Sequence, residues 1–292
     1  MKELELIDMH THTCYSDGEL TPNELVKKAE QEGIKTISIT DHDTLLGVQN
    51  MTIPKEERQI EVINGIEISI KVPKGRMHIL GQDIDIWNKE LNEKMKELHT
   101  RSIYSVAGII CQLKKDYGIV FTSEEILSIL NAQRNIGRPD VAKLLIEYGY
   151  ASSVQDSFNK YLIEAYEKLG DIAKGISFSE CAKLIHNANG YVILAHPVSL
   201  ELNKDELERK IEYLVENGLD GIEVFHSNHS KENEEEYLQL AEKYNLLISG
   251  GSDFHGPNVK PDVSLGTGKD NIKVKQLTLL DSIHRRKNKK SF

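Results

Sequence analysis

The chain has 292 residues, a formal net charge of −10, and 39% hydrophobic and 28% charged side chains. That length suits one or two domains, a single α/β barrel among them, and needs no disulfide or metal merely to fold. The composition excludes a disordered chain or a membrane protein, and the acidity argues against a large nucleic-acid footprint, which needs a basic face. Three cysteines (Cys14, Cys111, Cys181) and an N-terminus without an apolar stretch lead us to expect a cytoplasmic protein.

In chain order, Leu4–Met9 reads as the first strand. Thr21-Pro22-Asn23-Glu24 then opens a helix, with Thr at the cap, Pro in the first turn and Glu three residues on; Gly33 is placed to end it. The β-branched run Thr36–Thr40 predicts a second strand. Further strands are expected at Glu61–Asn64 (continuing toward Ile70), Met77–Leu80, Tyr191–Ala195, Gly221–Phe225 and Leu246–Ser249. Helices at 178–188, 204–217 and 230–244 alternate with the last three, and Ser177 with Glu180 repeats the capping pattern. Such alternation predicts an α/β fold with a mostly parallel sheet or barrel. Between 88 and 175 the pattern is helical throughout, with a helix start at Thr122-Ser123-Glu124-Glu125. We therefore expect a discontinuous barrel domain, 1–87 and 176–292, interrupted by a helical insertion domain, 88–175. The basic tail Arg285, Arg286, Lys287, Lys289, Lys290 reads as a solvated, frayed terminus.

The metal-competent side chains are not scattered. His10 and His12 follow the first strand, Asp17 comes five residues later, and His42 follows the second. Glu67 lies beyond the third, His78 inside the fourth, His196 at the end of the fifth, and Asp253 and His255 after the seventh. In α/β barrels the groups at the C-terminal ends of the strands converge on one face. A lone histidine at a strand end is more often structural, but six histidines and three carboxylates in that pattern point to a metal site. Imidazole with carboxylate suits Zn, Mn or Fe(II).

The motifs His10-Thr11-His12, Asp17-Gly18, Thr40-Asp41-His42-Asp43, Gly65-Ile66-Glu67, His78, Ala195-His196-Pro197 and Ser252-Asp253-Phe254-His255 resemble those of the PHP (polymerase and histidinol phosphatase) superfamily. The resemblance spans residues 10–255 and implies a distorted seven-stranded (β/α) barrel with a trinuclear metal centre and phosphoesterase activity. It also implies a grouping: His10, His12, Glu67 and Asp253 on one metal, Glu67 bridging to a second with His78 and His196, and Asp17, His42 and His255 on a third. The helical insertion and Gly137-Arg138-Pro139 resemble the branch that dephosphorylates nucleoside 3′,5′-bisphosphates or trims short RNAs from the 5′ end. Members of that branch often continue Gly-Arg-Pro-His; here the fourth residue is Asp140, which bears on specificity.

The expected cofactors are two or three divalent ions (Mn, Fe or Zn), and the expected reaction is attack of metal-activated hydroxide on phosphorus. Glu67 and Asp253 are taken as essential to turnover and to metal content. His226 ends the sixth strand and is expected to bind phosphate or protonate the leaving group. Asn228, His229 and Ser230 are candidates for phosphate contact, against helix capping as the plainer reading. Arg138, and more weakly Arg134, could fork onto a phosphate, against a salt bridge as the plainer reading. Asp8, Asp41 and Asp43 are expected either to orient a ligand imidazole or to be structural, rather than to bind metal, and His99, His186 and His284 are read as packing. Partners are a small phosphorylated substrate, a nucleotide above all, or a short RNA, with no membrane and no obligate protein. The alternatives are a histidinol phosphate phosphatase, a non-catalytic PHP metal-binding module, and a barrel amidohydrolase.

Overall fold

The structure, a computed structural model, describes residues 6–72, 75–170, 175–272, 274 and 277–290. Seven strands form one sheet in chain order: β1 (Leu6–Thr11), β2 (Ile34–Ile39), β3 (Glu61–Ile70), β4 (Met77–Gln82), β5 (Tyr191–Leu194), β6 (Gly221–His226) and β7 (Leu247–Gly251). Leu4 and Glu5, part of the expected first strand, lie outside the described residues. The helices are α1 (Pro22–Gln31), α2 (Leu46–Gln49), α3 (Lys89–Tyr117), α4 (Ser123–Leu130), α5 (Arg138–Glu147), α6 (Val154–Ser157), α7 (Ile163–Glu167), α8 (Phe178–Asn187), α9 (Lys204–Glu216), α10 (Lys231–Lys243) and α11 (Thr278–Lys290). Among the described residues no helix is long and apolar enough to cross a membrane.

Local chemistry accounts for the element starts. Thr21 and Glu24 form a reciprocal capping box at α1, and Thr122 with Glu125 does the same at α4. Ser177 accepts from the Glu180 N–H at the start of α8. Gly33 follows α1 at φ +74°, a left-handed conformation that costs glycine nothing.

The sheet curls into a nearly closed barrel. Where β1 ends and the chain leaves β7, Thr11 bridges Phe254, the His12 N–H donates to the Phe254 carbonyl (2.9 Å), and the Asp253 N–H donates to the His10 carbonyl (2.9 Å). A Cβ on Gly251 would lie 2.4 Å from the His10 nitrogen, so only glycine lets β7 approach β1 this closely. Ile7, Met9, Ile63, Leu80 and Ile193 fill part of the core together with Leu279 and Ile283 of α11.

The sheet is mostly parallel, as expected, with one exception. β4 runs antiparallel to both β3 and β5, whereas the other neighbouring pairs are parallel. The reason is connection length: only residues 71–76 separate β3 from β4, and a parallel return needs about a dozen residues or more.

The chain divides into two compact units, Met1–Asn92 with Ile176–Phe292, and Glu93–Gly175. The division falls inside α3. The second unit has its own core, in which Val106, Ile109, Leu113, Phe121, Val141 and Leu145 are buried.

The basic tail is not a frayed terminus. Arg285, Arg286, Lys287 and Lys289 belong to α11, Arg286 pairs with Asp83 and stacks over Tyr191, and Lys287 pairs with Glu61 at 2.9 Å. His284 is exposed and pairs with Glu61 (2.7 Å), and His186 is exposed and pairs with Asp220 (2.8 Å), so neither is a packing residue.

Two stability predictions follow from these contacts. Gln82 is fully buried; it donates to the Met9 carbonyl (2.7 Å) and accepts from Ser38 Oγ (2.7 Å), tying three strands together. Gln82→Leu removes both hydrogen bonds while leaving the Met9 carbonyl and Ser38 hydroxyl in place, and is expected to lower stability by about 1–3 kcal/mol in urea unfolding. The Asp220 hydrogen bond raises the pKa of His186. That contribution is complete below the unfolded histidine value of about 6.5 and disappears as pH climbs through the folded value. His186→Ala should therefore lower Tm more at about pH 5.5 than at about pH 9; equal losses at both would refute the ion pair.

Candidate metal centre

The C-terminal ends of the parallel strands share one face, and because β4 is reversed its beginning lies there too. This places His78, the second residue of β4, with the groups from the other strands. β3 pairs with β2 only as far as Asn64 and then continues along β4, which carries Glu67 past the end of β2 to bridge His42.

Glu67 is wholly buried and collects five imidazoles. Oε1 lies 2.8 Å from His78 Nδ1 and 2.9 Å from His196 Nε2; Oε2 lies 3.1 Å from His10 Nε2, 3.2 Å from His12 Nε2 and 3.1 Å from His42 Nδ1. Asp253 Oδ1 stands 3.2 Å from His12 Nε2, and Asp17 Oδ1 stands 3.2 Å from His255 Nε2. All nine sequence-predicted ligand residues thus lie in one connected cluster. Donor atoms of His10, His12, Glu67 and Asp253 fall within 4.8 Å of one another; so do those of His12, Asp17, His42 and His255, and those of His42, Glu67 and His78.

This donor set fits divalent cations. Ligand bonds of about 2.0–2.2 Å put neighbouring donors of one ion roughly 3 Å apart, the spacing seen around Glu67 Oε2. Among the described residues His12 Nε2 and Asp17 Oδ1 are buried without a hydrogen-bond partner, as suits atoms that would ligate an ion. Burial works against charge on His10 and His12. The surrounding carboxylates nevertheless hold the His10 pKa well above the ordinary imidazole value and raise that of His12 to about 9. Burial also opposes charge on Glu67 and Asp253, yet their cationic neighbours keep both carboxyls well below the usual range.

Two residues of the site went unrecognised in the sequence. Glu223, inside β6 and fully buried, accepts from His10 Nδ1 at 3.0 Å and from the His196 N–H at 2.7 Å, and its pKa is held to about 2 by His10 and His226 against burial. It orients the His10 ring, one of the two roles open to Asp8, Asp41 and Asp43. Those three take the structural role, holding backbone and hydroxyl groups: Asp8 at Ser252 and Gly266, Asp41 at Thr13 and Ser16, Asp43 at Ser69. A register shift in the β6–β7 ladder between Glu223 and Phe225 breaks the strand alternation, so that Glu223 and His226 both face His10. A glutamate within an apolar strand was the available signal, since buried charges are rare unless paired. The other missed residue is Lys260, whose ammonium lies 2.6 Å from Asp253 Oδ2.

The remaining sequence candidates separate. His226 is buried at the site; its Nδ1 accepts from the Asn228 N–H (3.1 Å), which puts the ring proton on Nε2. His229 is turned inward, donating to the Val224 carbonyl (2.8 Å) and packing edge-on against Tyr237, and burial lowers its pKa to about 4. Asn228 is exposed, and Ser230 caps α10 with Asn233. In the second unit, Arg134 pairs with Asp140, which also accepts from the Gly137 N–H (2.8 Å), and the Arg138 guanidinium lies over Tyr166 (4.3 Å) and Phe158 (5.1 Å). Asp140, in place of the branch's histidine, thus holds the start of α5.

The PHP domain family matches residues 8–250. The chain belongs to the PHP domain family. It is 31% identical over 260 residues to the 5′-3′ exoribonuclease Rnm of Escherichia coli, covering 86% of each chain. It is 28% identical over 252 residues to the 3′,5′-nucleoside bisphosphate phosphatase of Chromobacterium violaceum, covering 86% of this chain and 87% of the relative. A solved structure from Bifidobacterium adolescentis, assigned as a metal-dependent phosphoesterase, matches with a TM-score of 0.76 at 27% identity, over 96% of this chain and 95% of the other. This PHP protein is accordingly a metal-dependent phosphoesterase, a hydrolase.

Glu223→Gln keeps an acceptor for His196 but removes the charge behind His10, and is expected to weaken divalent-metal affinity about 10–100-fold in competition titrations. A ligand imidazole must be bare, so apparent affinity should climb by about tenfold per pH unit for each displaced proton, up to about pH 9, where His12 titrates. A flat profile between about pH 6 and 9 would contradict the protonation of His10 and His12.

Proposed function

We propose that this phosphoesterase removes the 3′-phosphate of nucleoside 3′,5′-bisphosphates, using two or three divalent ions among Mn, Fe and Zn. The observation that carries the reading is the division of Glu67 between two sets of imidazoles, one on each carboxylate oxygen, which suits a carboxylate shared by neighbouring ions. Ions held there supply charge withdrawal from the phosphoryl group and lower the pKa of bound water from about 16 to about 7.

The chain's own residues do the rest. Asp17, His42 and His255 would hold the third ion. Glu223 keeps the His10 ring turned so that Nε2 faces Glu67. His226, whose Nδ1 accepts from the Asn228 N–H, keeps its Nε2–H for donation to a phosphoryl oxygen. The 3′,5′-nucleoside bisphosphate phosphatase relative supports the substrate. A second reading, removal of nucleotides from the 5′ end of short oligoribonucleotides, is supported by the exoribonuclease relative.

The test is phosphate release from adenosine 3′,5′-bisphosphate, AMP, a 5′-phosphorylated dinucleotide and histidinol phosphate with Mn²⁺ added. Release from the bisphosphate alone is the expected result. Preference for histidinol phosphate would overturn the substrate and leave the metal chemistry standing. Glu67→Ala is expected to abolish turnover and to reduce metal content measured by mass spectrometry.

A further inference from the structure

We propose that Lys260 is a substrate-contacting residue. Its ammonium and the Nε2–H of His226 form a donor pair that takes a non-bridging oxygen of the substrate's phosphate beside Asp253. The two oxygens of Asp253 face different surroundings. Oδ1 looks into the imidazole cluster, 3.2 Å from His12 Nε2 and 3.4 Å from His255 Nδ1. Oδ2 looks away from it, 2.6 Å from Lys260 Nζ and 3.5 Å from His226 Nε2. A cation taking Oδ1 would therefore leave Lys260 and His226 in place.

These two nitrogens are donors, and both lie around one anionic oxygen. The His226 contact is not a hydrogen bond, and Nε2 is buried with no hydrogen-bond partner among the described residues. A buried N–H in that state needs an acceptor, and Asp253 does not supply one. Lys260 differs: its side chain is 34% exposed while that of His226 is 1% exposed, so the pair runs from solvent into the site. An incoming anion meets the ammonium first and the imidazole after it.

The backbone that presents Lys260 is fixed. The Lys260 and Val259 N–H groups both donate to the Gly256 carbonyl (3.0 and 3.2 Å). Gly256, at φ +106°, lies so close to Glu19 that a Cβ would come within 2.5 Å of the Glu19 Cβ. Glu19 in turn accepts from Asn258 through its side chain (2.5 Å) and backbone (3.1 Å). Conformational freedom is left to the four-carbon stem, as suits a lysine acting as a mobile point charge toward phosphate. Before substrate arrives the ammonium neutralises Asp253; a phosphate dianion offers it more negative charge and more acceptor atoms.

The proposal rests on the reading that this site cleaves phosphate esters, and is independent of which ester. Its test is titration calorimetry of inorganic phosphate into Mn²⁺-loaded wild type, Lys260→Ala and Lys260→Arg, with metal content measured on the same samples. Lys260→Ala should bind phosphate about 10–100-fold more weakly with metal content unchanged, and Lys260→Arg should recover most of the loss. KM for the best substrate should increase by a similar factor, with a smaller change in kcat. Wild-type phosphate affinity in Lys260→Ala would overturn the proposal, and so would a loss that only tracks lost metal. If wild type itself fails to bind phosphate, the phosphate-ester reading falls, and the proposal with it.

Discussion

The structure depends on a single buried charge. Glu67 sits in the barrel with no exposure, where an unpaired carboxylate would cost several kcal/mol, and its compensation comes from imidazoles on β1, β2, β4 and β5 or just beyond their ends. No one strand could satisfy it. The charge is therefore tolerable only when those strand ends are brought to one place, and the same arrangement that solvates Glu67 without metal presents the donors a metal needs. Stability and function share one constraint here.

That convergence strains the chain locally. His196 adopts φ +25° and Asp253 φ +58°, left-handed conformations that cost side-chain-bearing residues of order 1–3 kcal/mol. Both are held by specific hydrogen bonds, His196 through its N–H to Glu223 and Asp253 through its N–H to the His10 carbonyl. Glu223 consequently acts twice, aligning one ring and anchoring the backbone of another. The net charge of −10 does not decide whether a phosphate is repelled, because a substrate meets the local field. At this face carboxylates are matched by imidazoles and by Lys260, and divalent ions would reverse the sign outright.

Much of this was legible in the chain. Caps such as Thr21 with Glu24 and Ser177 with Glu180 are local chemistry, and β-branched runs mark strands because side-chain burial has a period of two. The metal-competent residues were legible because their types are costly to bury for any other reason. The direction of β4 went unread within a mostly parallel expectation, although the short segment 71–76 carried the signal. What escaped was pairing at a distance: His10 and Glu223 are 213 positions apart, and Lys260 meets Asp253 only through a turn folded back on Glu19.

The sequence by itself thus determined which segments are strands and helices and which side chains can bind a metal, because propensity, capping and burial patterns act over a few neighbouring residues. Tertiary structure alone decided which oxygen of Glu67 faces which imidazole, that Glu223 rather than Asp8 orients His10, and that the tail arginines and lysines belong to a helix bound by ion pairs to Glu61 and Asp83. Those outcomes follow from closing the sheet, which sets distances between residues far apart in the chain that no local pattern records.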